Sequence, residues 1–243
     1  MNNKIIFSAF ILSLSTYTYS ESSVEQQIYD GCSKLRQYAQ LGKKYYDKKQ
    51  YSKALEQFEY QASWTSFCLF NEEYSGLSIK ENDKIIANNN VGLTYAKLNK
   101  PLWARAWFSL NLDSKTSQFN LNKLPLPKES KDISGTYVSP SGFGQWNTIT
   151  VTKNKANYEI YFQGYYFPAR GLIYGPNMGE FETSMPLSKK HAEFKYEECK
   201  ISLDFEFSPT NGHSIAVDQN ESESGCGFGH NVWAGGQYFL VEN

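Results

Sequence analysis

The chain has 243 residues, 24 Lys and Arg against 25 Asp and Glu, and an aromatic content of 16%. A chain of this length suits one or two domains. The aromatic content argues against disorder, and the near-zero net charge argues against general nucleic-acid binding.

Lys4 precedes an apolar run from Ile5 to Leu14, and a short polar stretch reaches Ser20. A positive start, a short apolar core and small residues at the cut define a secretory signal. Thr18 and Ser20 fill the two small positions, so residues 1–20 are expected to be removed. The run is too short to span ~30 Å of hydrocarbon. No Cys sits at the end of this run, which argues against a lipoprotein. No later run approaches the ~20 apolar residues of a membrane helix, so the mature chain is expected to be soluble, with no integral membrane segment.

Residues 21–112 read as a helical domain, rich in Lys, Gln, Leu, Ala and Glu, with no Pro before Pro101. An internal repeat lies within it. Gly42, Tyr45, Ala54 and Phe58 return fifty residues later as Gly92, Tyr95, Ala104 and Phe108. Small residues on facing helices let two backbones approach, and the aromatic rings fill the space beside them. Lys49-Gln50 and Asn99-Lys100 mark the turns between paired helices, and Pro101 suits a first helical turn.

These spacings resemble the tetratricopeptide repeat: Leu41-Gly42-x-x-Tyr45 followed by Ala54-x-x-x-Phe58 fits its pattern, and Ala104-Arg105-Ala106-Trp107-Phe108 is similar to the related Sel-type repeats. The likeness covers residues 34–112. It departs from the usual ~34-residue period, with an insertion between Ser66 and Asp83. The resemblance implies stacked helical hairpins with a peptide-binding groove lined by first-helix side chains. On the matching positions these are Arg36, Lys43 and Tyr46, then Asn89, Leu93 and Lys97. Aromatic residues at helical spacing, Trp64, Trp103 and Trp107 among them, are expected to be core.

Residues 113–132, with Leu124-Pro125-Leu126-Pro127, read as a linker without periodicity. From Ile133 the period changes to two. Cys199, Ile201, Leu203, Phe205 and Phe207 alternate with Lys200, Ser202, Asp204 and Glu206, the pattern of a half-buried strand. Asn211-Gly212 marks a hairpin. Further strands are predicted at 135–138, 148–152, 158–162, 180–183, 192–196, 215–217 and 238–241. The fold class is therefore α + β multidomain: a short tetratricopeptide-like helical domain, then a small antiparallel β-barrel or sandwich over 133–243.

Four Cys in an exported chain allow three disulfide pairings. The topology favours Cys32–Cys68, at one end of a helical hairpin, and Cys199–Cys226, between neighbouring β segments. Metal binding is not expected, because no CxxC pair exists and His191, His213 and His230 are scattered. No cofactor is expected either. Gly225, Gly227 and Gly229 are not followed by a helix that would hold a phosphate. No Gly-x-Ser-x-Gly elbow is present, and no nucleophile, base and orienting group can be assigned without arbitrary choice. The reading is therefore not an enzyme.

The segment Cys226-Gly227-Phe228-Gly229 with the later Gly236-Gln237-Tyr238, and Gly135-Thr136-Tyr137 at the other end, resembles small exported β-domains of uncharacterised bacterial envelope proteins. Loosely, these are similar to periplasmic lysozyme-inhibitor barrels. The resemblance implies a periplasmic or secreted location. Charge divides unevenly: residues 21–127 carry 14 basic and 11 acidic side chains (+3), residues 128–243 carry 9 and 14 (−5). Acidic partners for the helices and basic partners for the barrel follow. Tyr165, Tyr166 and Phe167, with Phe228 and His230, are the expected contact residues on barrel loops, because Tyr and Phe supply large contact areas. The expected function is a non-catalytic protein that binds and neutralises a wall hydrolase or toxin. The alternative is a periplasmic scaffold that grips peptides in its helical groove.

Overall fold

The computed structural model describes residues 22–220 and 225–243; the expected signal segment, residues 1–20, lies outside them. The helical part comprises α1 (Val24–Ser33), α2 (Leu35–Asp47), α3 (Tyr51–Phe70), α4 (Glu72–Ser75), α5 (Glu81–Lys97), α6 (Pro101–Ser109) and α7 (Lys115–Asn122). Among the described residues no helix is long and apolar enough to cross a membrane.

The fifty-residue repeat has a structural counterpart. Lys49 and Asn99 both take left-handed backbone angles, with φ of 57° and 58°. Gln50 N–H then donates to Tyr45 C=O at 2.9 Å, and Lys100 N–H donates to Tyr95 C=O at 3.0 Å. Gly42 lies against the Phe58 ring and Gly92 against the Phe108 ring, so close that a Cβ at either glycine would overlap the ring. The α2–α3 and α5–α6 hairpins thus share one turn and one close contact. The repeat is long because α3 continues to Phe70 and α4 and residues 76–80 follow before α5. Ala54, Phe58, Ala87, Val91, Tyr95, Ala104 and Phe108 form the core between them.

The segment read as a linker holds α7. Ser114 caps it by accepting from Ser117 N–H at 3.4 Å, and Leu121 packs against the helical core. Only Ser117 of this helix is buried, so periodicity gave no signal there.

The second part is an eight-stranded antiparallel sheet: β1 (Gly135–Gly142), β2 (Gln145–Asn154), β3 (Asn157–Tyr166), β4 (Asn177–Pro186), β5 (His191–Tyr196), β6 (Cys199–Ser208), β7 (Gly212–Gln219) and β8 (Gly236–Glu242). The order is β4-β3-β2-β1-β8-β7-β6-β5. The outer strands β4 and β5 approach each other, with Thr183 Oγ1 donating to Glu193 C=O at 2.6 Å. The sheet is therefore a nearly closed barrel rather than a sandwich. Each of the eight expected strands falls inside one of these. Alternation fills the interior with Tyr137, Ile149, Ile160, Phe162, Ile201, Leu203, Ile215 and Tyr238.

Both disulfides take the expected pairing. Cys32–Cys68 joins α1 to α3 with Cα atoms 5.8 Å apart, and Cys199–Cys226 joins β6 to the segment before β8 with 5.0 Å. Cys32 lies near the end of α1, because the chain breaks at Lys34 before α2.

The two parts are packed together. β8 is apolar on both faces: Tyr238 and Leu240 point into the barrel, while Val241 meets Val138, Ala106, Trp103 and Trp146 outside it. Trp146 stands edge-on to Trp107 with ring centroids 5.4 Å apart. Lys100 pairs with Glu242 at 2.6 Å, Gln145 Nε2 donates to Ser63 Oγ at 3.0 Å, and Asn71 Nδ2 donates to Ala169 C=O at 2.9 Å.

Candidate functional site

The residues expected to line a helical groove separate into two groups. Arg36 borders a concavity of about 320 Å³ with Leu35, Ala39, Ile79 and Ile86. Lys43 is exposed and pairs with Asp47 at 2.7 Å, one turn further along α2. Leu93 and Lys97 are exposed on α5. Tyr46 instead is half-buried against Tyr51 and Phe58. Asn89 is 4% exposed and does not face a groove. Its Nδ2 donates to Ile85 C=O and Ser117 Oγ, both at 2.8 Å, and its Oδ1 accepts from Asn120 Nδ2 at 2.7 Å. The physical reason is α7, which the sequence reading treated as a linker and which covers this side of α5.

The barrel-loop residues also divide. Phe228 is a plug, tilted against Phe162 at 5.6 Å and stacked on Phe181 at 6.3 Å, with Gly179 beneath its ring. Phe167 packs at 6.3 Å from Phe143, which in turn lies 5.2 Å from Phe67 of α3. These two residues are packing elements and not exposed contacts. Tyr166 is 37% exposed. Asn177, its cross-strand neighbour, donates from Nδ2 to His230 C=O at 2.7 Å. Tyr166 and the exposed His230 thus share one end of the barrel. Trp233, 45% exposed on the same connection as His230, was not singled out from sequence, where nothing distinguishes it from a core Trp.

The most developed polar surface lies on the outer face of β2, β3 and β4. Register builds it in rows: Thr152, Glu159 and Ser184; Thr150, Tyr161 and Glu182; Thr148, Gln163 and Glu180. A fourth row places Tyr165 beside Met178, which is 54% exposed. The lower rows enclose a concavity of about 640 Å³ lined by Thr150, Thr152, Glu159, Tyr161, Glu182 and Thr183. Tyr161 Oη donates to Glu180 Oε2 at 2.7 Å, and this bond raises the phenol pKa above its ordinary value. Glu159 accepts from Asn154 Nδ2.

Among the described residues no Lys or Arg pairs with Glu159, Glu180 or Glu182, whereas the nearby Glu193 pairs with Lys195 at 3.0 Å and Lys200 at 3.2 Å. Hydrogen bonds from those two lysines hold the Glu193 carboxyl down at about 2. One acidic patch is thus neutralised within the chain and the other is open. Sequence alternation placed Glu159 and Tyr161 on an outward face. It could not place Glu180 and Glu182 beside them, because strand order and register were unknown.

The three histidines lie apart. His191 Nδ1 is 2.7 Å from Asp204 Oδ1 on the barrel wall, which raises its pKa; His213 is buried at the other end of β7's hairpin, where its Nε2 accepts from Ser130 N–H at 2.9 Å; His230 is exposed. Comparison with protein-family models, with curated proteins and with solved structures finds no match to this chain.

Proposed function

We propose that this is a non-catalytic exported protein of the bacterial envelope whose barrel binds a basic protein, a wall hydrolase or a toxin, and neutralises it by occupancy. The observation that carries this reading is the open β2–β4 face, where Glu159 and Glu182 line a concavity with Tyr161, Glu180 accepts from the Tyr161 hydroxyl beside it, and no Lys or Arg among the described residues pairs with these three carboxylates. Unpaired surface carboxylates steer a cationic partner and set its orientation. Tyrosine supplies the large, partly apolar contact that dominates protein interfaces. The two disulfides fit an oxidising compartment.

The test compares wild type with Glu159→Lys/Glu180→Lys/Glu182→Lys as bait for a cross-linked envelope extract. Wild type is expected to retain a basic protein whose capture weakens with salt, and the triple variant to lose it. The same partner retained by both baits, with the same salt dependence, would place recognition elsewhere.

A second reading, peptide capture by a tetratricopeptide-like groove, is favoured by one observation: the two hairpins repeat the same turn and Gly–Phe contact, and Arg36 and the half-exposed Ile86 border the concavity between them. In this reading α7 stands in for a missing third repeat by covering the end of the array.

A further inference from the structure

A third concavity, about 420 Å³, lies where α6 and α7 meet the outer face of β1 and β8. It is separate from the β2–β4 face and does not depend on the function proposed above. Leu102, Leu110, Leu121, Val138, Trp146 and Phe239 contribute apolar wall. Its size falls in the ~300–1,000 Å³ range of small-molecule sites. Arg105 is the one charged residue among the described residues that line it.

Arg105 is partly buried. Nη1 donates to Thr210 C=O at 3.1 Å and Nη2 donates to Pro125 C=O at 3.0 Å. Both acceptors are neutral. A guanidinium has five N–H donors, so these bonds leave donors free. No carboxylate among the described residues lies within ion-pair distance of Arg105. A partly desolvated cation without a counter-ion is costly, and an anion brought beside it is correspondingly favoured.

We infer that this cleft binds a single-chain hydrophobic carboxylate of the fatty-acid class, with its carboxylate on Arg105 and its chain along the leucine, tryptophan and phenylalanine wall. The charge matches one to one: a monoanion meets a single guanidinium. A peptide fits less well, because its backbone needs hydrogen-bond partners. Beside Arg105, the polar side-chain groups of the described lining residues are those of Ser109 and Asn211 and the indole N–H of Trp146, too few to satisfy an extended peptide backbone. The walls come from both parts of the molecule, so an occupant also ties the helices to the barrel.

The test uses the full mature chain with decanoate and decanol, which share a chain and differ in charge, followed by thermal shift and Trp fluorescence. Decanoate is expected to bind saturably, raise Tm, and bind about tenfold more tightly than decanol. Arg105→Gln is expected to make the two ligands equal. Leu112→Glu, at a lining position that is 53% exposed, is expected to weaken decanoate severalfold. It serves as the independent variant if loss of the Thr210 and Pro125 contacts prevents Arg105→Gln from folding. Absence of saturable decanoate binding, equal affinity of wild type for both ligands, or unchanged binding by Leu112→Glu would overturn the inference.

Discussion

Asn89 shows how a single buried amide fixes local structure. It joins α5 to Ser117 and Asn120 of α7, and removing it leaves buried partners unpaired. Asn89→Ala is expected to lower stability by ~1–3 kcal/mol in urea unfolding, whereas Lys43→Ala on the exposed face of α2 should stay within about 0.5 kcal/mol. Equal, small effects would show that the amide network contributes nothing. His213 supplies a pH dependence. Burial pushes its pKa below the ordinary 6.5 and its Nε2 acts as an acceptor, so the folded protein holds it neutral. The unfolded chain takes up a proton there as pH falls below the ordinary value, so stability declines from that point down to the folded pKa. His213→Gln, which retains an acceptor, is expected to lose less stability than wild type between about pH 7 and pH 5. Parallel stability curves would contradict this assignment. Neither role was legible in the sequence: Asn89 sits at a position that the helical repeat turns outward, and only the later chain, through α7, turns it into an interior residue.

At the scale of elements, the repeat was legible because close packing leaves a chemical trace. Gly and Ala are required where two helices touch, and the aromatic partner sits at a fixed spacing. A methyl group at Gly92 would collide with the buried Phe108 ring, as one at Gly42 would with Phe58. Gly92→Ala and Gly42→Ala are each expected to destabilise by about 1–3 kcal/mol, despite the better intrinsic helix propensity of alanine. An unchanged or raised unfolding midpoint for both would show that these contacts are looser than described. Strands were legible for a comparable reason, since each barrel strand must alternate between the packed interior and the outside. The α7 helix was not, because a short capped helix with one buried serine carries almost no periodic pattern. The apolar run Tyr238 to Val241 is buried on both faces, Tyr238 and Leu240 in the barrel and Val241 against Ala106, although the sequence reading of 238–241 extended only to a strand.

Across the whole molecule, helices and barrel form one packed body through the Trp103–Trp107–Trp146 cluster, the Lys100–Glu242 pair and the Phe67–Phe143 contact. The change of period near Ile133 marked where the strands begin, but contacts between the helices and the barrel were not readable, since they link residues from 39 positions apart (Trp107 and Trp146) to 142 (Lys100 and Glu242) that share no local pattern. This packing leaves the β2–β4 face open on the side of the barrel away from β8, while β1 and β8 are covered by α6. The barrel half carries the acidic excess, and the open face concentrates part of it around Tyr161. The proposal of stoichiometric neutralisation is tested most directly by titrating the wall-lytic activity of an envelope extract with wild-type protein and with Glu159→Lys/Glu180→Lys/Glu182→Lys. The account predicts that activity falls to a plateau at a fixed molar ratio with wild type and is untouched by the triple variant. Equal loss of activity with both proteins, or loss that continues with time at a small fraction of an equivalent, would contradict it.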